Sequence, residues 1–364
     1  MSASGDGETN ETTNAMSACA KSPAAATRPA TKSRSGSPTD PELASGSTRR
    51  SAQGGWITAP TEERNPRTVD IDLRSTIDML RMINDEDAQV AGAVRAVLPA
   101  LAEAVDLAVA ALRSGRRVHY FGAGTSGRIA VLDAAELIPT YAIAPDLVVA
   151  HHAGGIRALA EPSEGIEDDI TLGARDATEL QAGDLAVGLS ASGRTPYVTG
   201  ALREARTQGA KAVLISANPD AELGAEVDVH VGVDTGPEVI AGSTRMKAGT
   251  AQKLLLNAFS TALMVRVERT YSNLMVEVAA TNDKLRGRVV RILVEATGLD
   301  PQVCADALER ADGDARVALV ALLADVPVAE ASQALGSAGG GVRRALTLVR
   351  TDGQNPASNE RART

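Results

Sequence analysis

Three stretches of the 364-residue chain could hold an anion: Gly122-Ala-Gly-Thr-Ser-Gly-Arg128, Ser190-Ala-Ser-Gly-Arg-Thr195 and Gly242-Ser-Thr-Arg-Met-Lys247. Each precedes a helical pattern, where a starting helix leaves backbone amides unpaired and partly positive. Each also adds hydroxyls or a cation, so phosphate is the ligand this chemistry suits. The candidates are Gly124, Thr125 and Ser126 in the first; Ser190, Ser192, Arg194 and Thr195 in the second; and Ser243 and Lys247, with Arg245 beside them, in the third. Pro196 fits a first helical turn, because its φ is preset and its missing N–H would be unpaired there. The alternative is a set of ordinary strand-to-helix turns capped by Ser and Thr. The tripeptide Ser-Gly-Arg, shared by the first two stretches, weighs against that alternative.

The first stretch has the spacing G-x-G-x-x-G, which also fits a dinucleotide. That reading needs an acidic residue about 20 positions on, at the end of the second strand. Here the second strand reads LVVAHHAGG, with Asp146 before its start and His151 and His152 at its far end. A single phosphate therefore replaces the pyrophosphate. Adjacent histidines on a strand point to opposite faces and no third ligand is spaced with them, so no metal site is expected. His119 and His230, inside strand-like runs, read as structural.

These loops need a scaffold, and the chain supplies a regular one. Apolar runs at 118–121, 147–150, 185–189, 211–216 and 227–233 alternate with helical patterns. This predicts an α/β fold, a three-layer α-β-α sandwich around a mainly parallel five-stranded sheet. Before it, Ile77, Leu80 and Ile83 predict one helix, and Val90 through Val105 predict a second, with Asn84 or Asp85 as its cap. After it, long helices are expected over about 246–269 and 274–297. Three short helices should then form a small helical, UBA-like module over 298–350. Residues 1–55, rich in Ser, Ala, Thr, Gly and Pro, read as a disordered tail, as do 351–364. The segment 56–297 is the expected phosphate-binding domain.

Composition narrows the partners. Hydrophobic residues make up 44% of the chain and aromatic ones only 2%, so the core is aliphatic. A net charge of -9 argues against nucleic acid. Two cysteines without a framework spacing fit a reducing cytoplasm, and the sequence offers neither a membrane span nor a signal peptide.

Together GAGTSGR, SASGRTPY and GSTRMKAGTAQKLLLN resemble the sugar isomerase (SIS) phosphosugar-binding fold. EERNPRT, MLRMINDEDAQV, LDAAE, EGIEDD and YSNLMVEVAATNDKL extend the resemblance, from about Arg64 to Leu346, to the N-acetylmuramic acid 6-phosphate etherase family. The resemblance implies loss of the D-lactyl ether from C3 of a phosphorylated amino sugar, without metal or redox cofactor, in peptidoglycan recycling or muramic acid catabolism; the apolar helical region 246–297 suits a homodimer interface as well as an internal core. The resemblance also assigns Glu136 as proton donor to the departing oxygen and Glu167 as base. Composition alone would make Glu136 an ordinary helical glutamate and Glu167 part of a solvated helix start. Ala134, Ala135, Leu137 and Ile138 are expected to desolvate Glu136 and raise its pKa. The family pattern A-E-C-P-P-T appears here as Ala135-Glu136-Leu137-Ile138-Pro139-Thr140, and LVVAHHAGG is less apolar than the family's form. An aldose–ketose isomerase or a sugar-phosphate-sensing regulator on the same fold are the competing functions.

Overall fold

The computed structural model describes residues 49–50, 56–57, 59–161, 165–277 and 283–352. The expected tails therefore lie almost wholly outside the described residues. A short antiparallel pair, β1 (Arg49–Arg50) and β2 (Trp56–Ile57), precedes three helices: α1 (Thr76–Asp87), α2 (Val90–Ala96) and α3 (Leu98–Arg113). Asn84 and Asp85 lie inside α1 and cap nothing; Ser75 caps α1 through the amide of Asp78. The expected second helix is split at Val97, because Pro99 in the first turn of α3 lacks an N–H to continue the ladder from α2.

Then β3 (Val118–Gly122), α4 (Gly124–Tyr141), β4 (Val148–His152), α5 (Arg157–Ala160), α6 (Ile170–Asp176), β5 (Leu185–Ser190), α7 (Pro196–Thr207), β6 (Lys211–Ser216) and β7 (Val229–Gly232) follow in order. The five longer strands form one parallel sheet in the order β4-β3-β5-β6-β7. Alternate residues divide between two cores. Val118, Tyr120, Val187, Val213 and Ile215 pack with α3, α4 and the 20-residue α8 (Lys247–Arg266). Phe121, Ala186, Ala212 and Leu214 pack with α7 on the other face. The three-layer sandwich expected from the alternating runs is what forms.

The chain from Tyr271 to Glu277 is not helical, contrary to the long helix expected from 274. Tyr271 and Leu274 bridge each other around Ser272, whose φ of 53° is left-handed. Helix α9 begins at Asp283 and runs to Thr297. It packs with α10 (Pro301–Arg310), α11 (Ala315–Ala324), α12 (Val328–Ser337) and α13 (Val342–Asp352). The three helices expected from the pattern at 303–335 form as α10, α11 and α12, and among the described residues α13 follows them. One apolar core joins Val289 and Leu293 of α9 to Leu319, Leu335 and Leu346, so the helical cluster takes in α9 as well. Among the described residues no single helix is long and apolar enough to cross a membrane.

Candidate active site

The chain leaves β3 toward β4 on one side and returns to β5 on the other, which makes the β3–β5 boundary the switch point of the sheet. Ligands of open parallel sheets settle in the crevice at the carboxyl ends of the strands there. Gly122 pairs with Leu189 at that edge, so the first two hydroxyl-bearing loops rise side by side. In the first, α4 starts at Gly124 with no side-chain cap, leaving its leading amides open. Thr125 is half-buried, and Ser126 is buried with its hydroxyl donated to Gln252 Oε1 at 2.9 Å. In the second, the Ser190 and Thr195 hydroxyls lie 2.7 Å apart, and Ser192 Oγ accepts from the Arg194 amide at 3.2 Å. The side chain of Asn218 braces that turn by donating to the Ser192 carbonyl. Arg194 is partly exposed, with one guanidinium nitrogen 3.9 Å from Glu222 Oε1. Thr195 takes the N-cap position of α7 and Pro196 the first turn, as the sequence predicts.

The third stretch does not offer its cation. Lys247 is 0% exposed and its Nζ lies 2.8 Å from Glu86 Oε2. Glu86 is also held by the guanidinium of Arg67, and these partners keep its carboxyl down at about 2, with Arg67 the larger influence. The leading amides of α8 are filled too: Lys247 N and Ala248 N donate to the two oxygens of Glu238 at 2.9 and 3.0 Å. Burial pushes the pKa of Glu238 up, against those two amides. The expected phosphate contact of Lys247 is thus replaced by an internal ion pair, and a protein carboxylate occupies the place of an anion. Arg245 is exposed and Ser243 half-buried. Glu86 and Glu238 have no signature in the sequence, since one sits in the charge run NDED and the other in an irregular loop.

Glu136 lies on the outer face of α4, exposed together with Ala135, Ile138 and Leu132. The expected desolvation is absent in the single chain, because only Ala134 and Leu137 of the flanking residues turn inward. Glu167 is exposed on a 3-10 turn, Ile166–Asp168, entered through Gly165 at φ 75°. Glu164 lies outside the described residues. Arg128 of α4 donates to the carbonyls of Ala158 and Leu159, which ties the segment leading to Glu167 onto the helix that carries Glu136. Among the described residues neither glutamate has an ion-pair partner. The buried carboxylate of LDAAE is Asp133, which accepts from the Tyr120 and Ser260 hydroxyls; burial raises its pKa to about 6.

His151 and His152 do point to opposite faces of β4. His152 packs on Gly127 and contacts the carbonyls of Ala153 and Gly124. His151 stacks flat on Phe121, ring centroids 4.4 Å apart, and meets the fully buried His119. Burial lowers the pKa of both, that of His119 to about 4. His230 contacts the Ser216 hydroxyl at 2.9 Å, a structural partner. A cavity of about 600 Å³ lies beside β4 and is lined by His151, His152, Gly154, Ile156 and Arg175 among others. It is not formed by the hydroxyl-bearing loops, which open to solvent at the sheet edge.

Two sequence families match this chain: the glucokinase regulatory protein N-terminal SIS domain over residues 100–206 and the SIS domain over residues 157–262. An N-acetylmuramic acid 6-phosphate etherase of Thermobifida fusca (strain YX) is 66% identical over 267 residues, 73% of this chain and 88% of that protein. One of the same description from Yersinia pestis (strain Pestoides F) is 51% identical over 288 residues, 79% of this chain and 98% of its own length. A phosphoheptose isomerase structure from Francisella tularensis is 18% identical, with a TM-score of 0.43 over 52% of this chain and 98% of that one.

Proposed function

The chain belongs to the N-acetylmuramic acid 6-phosphate etherase family, and from that premise we propose how its residues divide the chemistry. The enzyme is a carbon–oxygen lyase that converts N-acetylmuramic acid 6-phosphate into N-acetylglucosamine 6-phosphate and D-lactate. The reading of its site is supported chiefly by one observation, the pairing of the open α4 amides with the Ser190–Thr195 turn at the switch point of the sheet. There the 6-phosphate sits on the amides of Gly124, Thr125 and Ser126 and on the hydroxyls of Ser192 and Thr195, with Arg194 supplying charge. Ser190 orients Thr195, and Ser243 closes the far side.

In the ring-opened sugar the C2 proton is acidified by the C1 aldehyde, and the lactyl oxygen on C3 is β to it. Glu167 takes the C2 proton; the C3–oxygen bond breaks as Glu136 protonates the departing lactate, leaving a C2–C3 double bond. Glu167 releases that proton to solvent, takes one from the water that adds at C3 and delivers it to C2, while Glu136 is reprotonated from solvent. Each carboxyl contributes about 10²- to 10⁴-fold when placed within reach of its proton. Glu136 must start protonated, which calls for a drier setting than an exposed helix face. A homodimer that covers Leu132, Glu136 and Ile138 would provide it, and Leu132 and Ile138, 46% and 39% exposed, are the apolar groups such a contact would bury. A sugar phosphate carries charge that a bilayer does not pass, so the enzyme works in the cytoplasm, in peptidoglycan recycling or amino sugar catabolism.

The test is incubation with N-acetylmuramic acid 6-phosphate in D₂O. D-lactate and one deuterium at C2 of the product are expected. Lactate without deuterium would replace elimination by displacement at C3, and no lactate from folded protein would remove the reading altogether.

A further inference from the structure

His119 and His151 lie far apart in sequence, yet the register of β3 and β4 sets them diagonally on one face of the sheet. His119 pairs with Val149, and His151 with Phe121. Their Nδ1 and Nε2 atoms are 3.0 Å apart. Glu179, in the connection from α6 to β5, brings Oε1 to 3.6 Å from His151 Nε2 and 3.9 Å from His119 Nδ1. We propose that these three side chains form a zinc-binding site, with His119 Nδ1, His151 Nε2 and Glu179 Oε1 as ligands and water in the fourth position.

The 3.0 Å contact by itself fits a hydrogen-bonded imidazole pair, and it is Glu179 that makes the three groups a set one metal ion could bridge. Tetrahedral zinc with ligand bonds of about 2.0–2.1 Å separates its ligand atoms by about 3.3 Å. The three separations here bracket that value, and all three donor atoms lie within 4.8 Å of one another. A hydrogen bond between the imidazoles uses one proton and gives Glu179 no part. It also leaves His119 Nε2 without a hydrogen-bond partner in the core. That nitrogen lies 3.8 Å from Asp184 Oδ2, and the two Asp184 oxygens are already fixed by the amides of Arg117 and Gln181. A metal on Nδ1 puts the remaining ring proton on Nε2, 3.8 Å from Asp184 Oδ2, and a shift of about 1 Å would bring the two into the carboxylate–histidine–metal arrangement that orients a ligating imidazole.

The donor set, two imidazoles and one carboxylate, is the borderline N/O chemistry that zinc favours over magnesium or calcium. Access is from the Glu179 side, where the carboxylate is 54% exposed and His151 keeps 14% of its side chain open. The ion would join β3, β4 and the α6–β5 connection, bracing the strand from which the segment toward Glu167 departs. The sequence pattern hid it because the adjacent His152 is not a ligand, and the true partners stand on other elements.

The experiment uses the full chain, stripped with a chelator, exchanged into chelator-free buffer and titrated with zinc chloride against a chromophoric competitor. One equivalent should bind at or below micromolar zinc. Glu179→Gln and His151→Leu should each weaken binding by about tenfold or more. Cobalt in place of zinc should give the intense visible bands of a tetrahedral N/O site, lost in the same variants. Glu179 is exposed, so Glu179→Gln should fold as the parent does, which circular dichroism checks. Zinc should raise the melting temperature of the parent and not of this variant. Less than a tenth of an equivalent bound overturns the proposal. Stoichiometric binding that neither substitution weakens overturns it too, and would leave the histidines a hydrogen-bonded pair only.

Discussion

The loops after β3 and β5 share the tripeptide Ser-Gly-Arg and differ in where the helix begins. Ser126-Gly127-Arg128 lies inside α4, whereas Ser192-Gly193-Arg194 precedes α7. In the first loop the serine hydroxyl is therefore drawn inward to Gln252. A methyl on Gly127 would come within 2.5 Å of both Gly122 O and the His152 ring. Arg128 is spent on the carbonyls that dock α5. In the second loop Gly193 takes a φ of 68°, which only glycine adopts cheaply, and the turn this allows leaves Ser192, Arg194 and Thr195 partly open. The register of a motif against the helix start decides its use. One copy leaves helix amides open and starts the helix that carries Glu136; the other leaves hydroxyls open.

If that division is right, Glu136→Gln has the largest effect. Lactate release should fall by about 10²- to 10⁴-fold with little change in product binding measured by calorimetry. Equal losses in both would mean that the α4 face binds rather than reacts. Next is Lys247→Met, which removes one of the two cations that hold the buried Glu86 and should cost about 3 kcal/mol in urea unfolding. If Lys247 held phosphate instead, stability would survive and affinity would not.

The same hub sets an acid response. The folded pKa of Glu86, about 2, lies below the ordinary 4.5, so its contribution is complete above about pH 4.5 and is lost as the pH falls toward 2. Stability should decline over that window in the parent, and less steeply in Lys247→Met. The smallest effects compare the loops directly. Ser126→Ala should cost about 1 kcal/mol of stability, by removing a buried hydrogen bond, with KM unchanged. Ser192→Ala and Thr195→Ala should raise KM by about fivefold each with stability nearly unchanged. An inverted pattern would exchange the roles of the two loops.

Much of the sandwich was legible because strands buried on both faces are short apolar runs, and β6 spans the whole of KAVLIS. Helix limits were less legible where local chemistry competed. Pro99 broke one expected helix, and a turn at Ser272-Asn273 delayed another. Among the candidate phosphate ligands, types and spacing identified the loops but not which hydroxyls stay open. Ser126 and Lys247 read as ligands by their neighbours in sequence, and both found partners more than 100 residues away.

Local residue patterns set the alternation of elements, the hydroxyl-rich helix starts, the membership of the family and the positions of Glu136 and Glu167. Each of these is a local pattern, carried by residues within a few turns of one another. Packing across the fold makes Lys247 a buried counter-ion, sets Glu238 at the start of α8, leaves Glu136 exposed and brings His119 to His151 and Glu179. Those outcomes depend on strand order and register, which bring together groups from distant elements. Burial then makes an unpaired charge too costly to leave without its partner.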